Sequence, residues 1–78
     1  MTTSNMIFTW AKALIRNYIN GCHNRTETAD KIKAVVTNFR FAGELNETEA
    51  DKRYELVRKF KIGRMSAANL MIALRNMA

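Results

Sequence analysis

Val57-Arg58-Lys59-Phe60-Lys61-Ile62-Gly63-Arg64-Met65-Ser66-Ala67-Ala68-Asn69-Leu70 decides how this chain is read. Two stretches of helical periodicity meet here at a glycine. Phe60 is an apolar residue just before the bend, Ile62 is the expected buried plug within it, and Gly63 supplies the positive φ that ends a helix at low cost. Ser66, three residues on, is a helix cap. Ala67 and Ala68 are small enough to let two helix axes cross closely, and Leu70 and Leu74 return to seal the pair. The segment predicts two helices joined by a tight turn.

The same punctuation organises the rest of the chain. Proline is absent, and each of the three glycines, Gly21, Gly43 and Gly63, follows a stretch of helical periodicity. No segment alternates polar and apolar residues, so no sheet is expected. The predicted fold class is all-α: a compact bundle of four short helices, the last two in helix-turn-helix order, forming one domain over residues 1–78.

Helix 1 is predicted over 4–20. Ile7, Trp10, Ala11, Leu14 and Tyr18 form its apolar stripe, and Phe8, Ile15 and Ile19 widen it into an arc that needs two packing partners. Helix 2 is predicted over 26–42, capped by Asn24 or Thr26, with Ala29, Ile32, Val35, Val36 and Phe39 facing inward. Helix 3 opens on Asn46 with Glu49 completing a capping box and Leu45 ahead of the cap. Its inward face is Ala50, Tyr54, Val57 and Phe60, with Leu56 on the shoulder. Asp51, Lys52, Arg53 and Glu55 read as a solvated face with local ion pairs. Helix 4 is predicted from Ser66 to the chain end, with Ala67, Leu70, Met71, Leu74 and Ala78 inward.

Charge is unevenly placed. The net +6 resolves into +3 over residues 1–26, −2 over 27–55 and +5 over 56–78, where Arg58, Lys59, Lys61, Arg64 and Arg75 meet no carboxylate. Positive charge focused on a protruding helix pair is how small domains find nucleic acid. Residues 57–74 resemble helix-turn-helix DNA-binding domains in general. They look most like the winged-helix domain of FtsK-type DNA translocases, through Lys59-Phe60-Lys61-Ile62-Gly63 and Ala67-Ala68, without the β-hairpin wing. The resemblance implies a last helix lying in a major groove. Asn69 is then placed to read adenine, and Arg64 or Arg75 guanine. Arg58, Lys59 and Lys61 would contact phosphates, while Ser66 and Asn76 complete the outward face.

The leading expectation is therefore a small, regulator-like DNA-binding protein. The alternative is a protein-binding inhibitor or adaptor, or a homodimer, using Met65, Ile72 and Met77. In kind, such a module resembles small phage-encoded inhibitors of host machinery or defence, anti-CRISPR proteins among them. No catalytic role is expected. Cys22 and His23 are neighbours at a helix end, with a partly buried thiol and a surface imidazole and no third group to orient them. Two residues also fall short of a structural metal site, so neither metal nor cofactor is expected. Phe39 and Phe41 point about 200° apart on a helix, which gives no stacking platform around Arg40. Trp10, Phe8 and Tyr18 with Lys12 and Arg16 suit a membrane-surface helix, but a short domain needs that apolar area for its core. The lone thiol and the lack of a basic n-region ahead of an apolar stretch point to the cytoplasm. Two glycosylation sequons, at Asn24 and Asn46, are better read as helix caps.

Overall fold

Four polar side chains set where the helices begin. In the computed structural model, which describes residues 2–77, Thr2, Asn24, Asn46 and Ser66 each accept a hydrogen bond from the backbone N–H three residues on. The helices that follow are α1 (Thr3–Ile19), α2 (Arg25–Phe41), α3 (Glu47–Lys61) and α4 (Ala67–Asn76), with no strand among the described residues. Both sequons are caps, as expected. At α3 the box is a variant, because the Asn46 side-chain amide, not its backbone, donates to Glu49 (3.1 Å).

The first three helices end alike. Gly21, Gly43 and Gly63 take φ values of 81°, 77° and 82°. Each glycine N–H bonds the carbonyl three residues back (Tyr18, Arg40, Phe60), and the next N–H bonds the carbonyl five back (Asn17, Phe39, Lys59). This is one Schellman-type stop made three times. Each time, the next helix is capped three residues after the glycine.

These corners fold the helices into a closed ring. α1 packs on α2 and α4, α3 packs on α2 and α4, and the diagonal pairs do not approach closely. The α2–α3 interface is the most extensive and α3–α4 the least. The larger core cluster draws Ala11 and Ile15 from α1, Ala29 and Ile32 from α2, Val57 and Phe60 from α3, and Leu70 and Leu74 from α4. A smaller cluster of Ile7, Val36, Leu45 and Ala50 closes the end where α2 turns into α3.

Several expected orientations are corrected. Trp10 is 58% exposed, because α1 meets only α2 and α4 and the deepest positions go to Ile7, Ala11 and Ile15. Ile19 is also exposed. Ile62 is not a plug but the C-cap of α3 and is 52% exposed; Phe60, fully buried, fills that role. Arg53 is 4% exposed instead of solvated, and displaces Tyr54 to a half-buried position. The Tyr54 hydroxyl hydrogen-bonds Thr37 at 2.6 Å. Cys22 is exposed, not partly buried. The expected inward position of Ala78 lies outside the described residues.

Candidate binding surface

The two corners at one end of the ring are tied together by an arginine. Arg25, the first residue of α2, donates from Nη1 to the carbonyls of Phe60 (2.7 Å) and Met65 (3.0 Å). Its guanidinium lies 4.6 Å from the Phe60 ring centre, and Tyr18 meets the Phe60 ring edge-on at 5.4 Å. A cation at a helix N-terminus opposes the macrodipole, but here it faces the C-terminal carbonyls of α3, where positive charge is favoured. That mismatch at position 25 is the sequence signal that could have flagged Arg25. The α3–α4 turn is therefore held against the bundle end and does not protrude.

A second arginine works at the opposite end. Arg53 donates to the Glu49 carbonyl (3.0 Å) and to Ser4 Oγ (2.8 Å), reaching across the diagonal from α3 to α1. Neither partner is a carboxylate.

Folding redraws the charge map. α2, α3 and their connection hold all seven carboxylates and nine cations, while α1, α4 and the α3–α4 turn hold four cations (Lys12, Arg16, Arg64, Arg75) and no carboxylate. On the first side, two of the cations form ion pairs within the chain. Lys61 pairs with Asp30 across the α2–α3 groove at 2.9 Å, and Arg58 forks onto Glu55 at 2.6 and 3.1 Å. The Arg58 hydrogen bond holds the Glu55 carboxyl below its ordinary value, and Glu55 in turn raises Arg58. The groove between α2 and α3 has a volume of about 420 Å³ and walls of mixed charge, Asp30, Asp51 and Glu55 against Lys33, Arg58 and Lys61.

On the other side, α1 and α4 enclose a smaller groove of about 230 Å³, lined by Phe8, Ala68, Met71, Ile72 and Arg75. Ile72 is 48% exposed. Lys12 and Arg16 follow Phe8 at four-residue spacing along α1 and are exposed. Sequence reading weighed Phe8, Lys12 and Arg16 only as a membrane-surface helix, because the pairing of the first helix with the last is not local information.

The eight residues expected to contact DNA are all exposed, but they do not share one face. Arg58 and Lys61 line the α2–α3 groove and Arg75 lines the α1–α4 groove on the opposite side of the ring. Lys59 points away from the core of α3. Arg64, Ser66 and Asn69 cluster at the turn, where Ser66 Oγ is engaged by the Asn69 N–H at 3.1 Å, and Asn76 sits at the far end of α4. The alternative trio is split too. Met65 packs against the larger core cluster, a correction to its expected outward position, and Met77 lines a separate hollow with Ser4 and Arg53. Only Ile72 stays on an open apolar surface.

Among the described residues no cluster of three His, Cys, Asp or Glu side chains is placed to hold a metal ion, and no helix is long and apolar enough to cross a membrane. Comparison with protein-family models, curated proteins and solved structures finds no match.

Proposed function

We propose that the protein is a non-enzymatic protein-binding module that docks through its α1–α4 face onto an acidic partner, in the manner of an inhibitor or adaptor. The observation that carries this reading is the union of an apolar groove (Ile72 beside Phe8 and Met71) and its Arg75 with two helices, α1 and α4, that carry cations and no carboxylate side chain. Protein interfaces combine an apolar centre with a polar rim. DNA interfaces are more polar and leave little use for an exposed isoleucine. The corner that suggested a DNA-reading helix pair is made three times with one geometry, so it serves here as a general way of turning the chain.

The test is capture of a partner from the native cell lysate after nuclease treatment. The wild-type chain should retain one protein stoichiometrically, and Ile72→Asp should lose it while keeping the wild-type circular dichroism spectrum. Retention equal in the two proteins would overturn the reading.

DNA binding is the second reading, favoured by the exposure of Lys59, Arg64, Ser66 and Asn69 at the turn. It requires gel-shift retention that weakens with salt at a log–log slope of about −3.6 for four phosphate contacts. A salt-insensitive complex rules it out.

A further inference from the structure

We infer that the α1–α4 groove receives a single acidic amphipathic helix from the partner. This rests on the protein-binding reading above and specifies what that partner presents.

Shape comes first. Ala68, Met71, Ile72 and Arg75 line the groove from α4, a spacing that keeps them on one side over two helical turns, about 10 Å. Phe8 is the opposite wall. Ala68 is small and lets another backbone come near. A partner strand would find no sheet edge to pair with among the described residues, and its backbone groups would lose water without replacement. A helix arrives with those groups already bonded, which is why apolar grooves between helices take helices.

Charge selects the kind of helix. Arg75 lies in the α4 wall of the groove, Lys12 follows Phe8 one turn on along α1 and is exposed, and neither helix carries a carboxylate side chain. A basic or neutral helix gains nothing from this rim. A second copy of the chain docked face to face would set these cations against their own equivalents, since a two-fold interface pairs each patch with itself. Glutamate or aspartate flanking a leucine-type stripe meets both demands.

The experiment uses the full chain, labelled with 15N, and a synthetic peptide about 18 residues long, enough to hold helix once docked. Its sequence places leucine on one helical stripe and glutamate elsewhere. A scrambled peptide of identical composition controls for bulk charge, and a short DNA duplex controls for nucleic acid. The striped peptide should bind roughly tenfold tighter than the scrambled one. Its shifts should centre on the amides of Lys12, Arg16, Ala68, Ile72 and Arg75, and Ile72→Asp or Arg75→Glu should abolish the preference. Equal affinity for the two peptides, or shifts centred on the α2–α3 groove, would overturn the inference. If Ile72-dependent partner capture survives that result, the protein-binding reading stands without the helix. If the duplex alone moves these amides and no protein is captured, both fall.

Discussion

On the α2–α3 side of the ring, carboxylates and cations interleave, and the groove between the helices is crossed by the Lys61–Asp30 pair. On the α1–α4 side lies an apolar groove with Arg75 in its wall, and α1 and α4 carry Lys12, Arg16 and Arg75 without a carboxylate side chain. Both pairs supply the same core, so packing did not require the difference. The α2–α3 surface carries both signs and pairs two of its cations within the chain, whereas the α1–α4 surface carries one sign only. A solvated protein face mixes both signs, and a single-sign face around apolar surface is the signature of recognition.

The most drastic way to break this contrast is to remove what the two sides share. Phe60 is fully buried in the cluster that joins all four helices. Phe60→Ala should cost about 3–5 kcal/mol, comparable to the roughly 3–5 kcal/mol that a core of this size supplies. Thermal melting followed by circular dichroism should lose its cooperative transition altogether. Survival of α2–α3 as a separately melting unit would show that the two sides are independent bodies.

The two arginine links give the next contrast. Arg25→Met removes two charge-assisted bonds to backbone carbonyls and should cost about 2 kcal/mol in urea denaturation. Hydrogen exchange should quicken most at the α3–α4 turn. Arg53→Met deletes a buried guanidinium whose partners are a carbonyl and a hydroxyl, with no carboxylate to offset its desolvation. Replacing buried charge by a side chain of similar volume is often neutral or stabilising, so stability should change by less than about 1 kcal/mol. Equal losses at the two arginines would mean that they do the same job at the two ends.

The corners were legible in the sequence because each is decided locally. Glycine alone adopts positive φ cheaply, and Asn24, Asn46 and Ser66 cap the helix three residues later whatever surrounds them. The apolar positions Ala29 and Ile32 of α2 and Val57 and Phe60 of α3 were legible for the same reason, since they repeat at helical spacing. Trp10 was misplaced because the apolar arc of α1 is wider than its two neighbours can cover, and composition does not say which edge stays wet. Arg25 and Arg53 escaped because the partners that draw them inward, Phe60 and Met65 for Arg25 and Ser4 for Arg53, lie 35 to 49 residues away. The same distance hid the candidate site. Charge read by thirds of the chain put the cationic surface at the C-terminal end, but α4 packs beside α1, and the face without carboxylates is shared by the first and last helices.

The smallest expected effect tests whether the α2–α3 charges are answered as tightly as their geometry shows. Arg58 donates two hydrogen bonds to Glu55, and these, more than the bare charge of Arg58, hold the carboxyl below its ordinary value of 4.5. A lowered folded-state pKa means that the pair's contribution is present above the unfolded value and fades as pH falls through the folded one. Both side chains are about half exposed, so solvent screening keeps that contribution small, and a melting curve should barely register it. A carbon-detected NMR titration should resolve it, with the Glu55 midpoint below 4.5 in the wild type and higher in Arg58→Gln than in the wild type. The same substitution should leave partner capture through Ile72 unchanged, because Arg58 lies on the α2–α3 side. Loss of capture would move the functional surface to the groove that now looks internally satisfied.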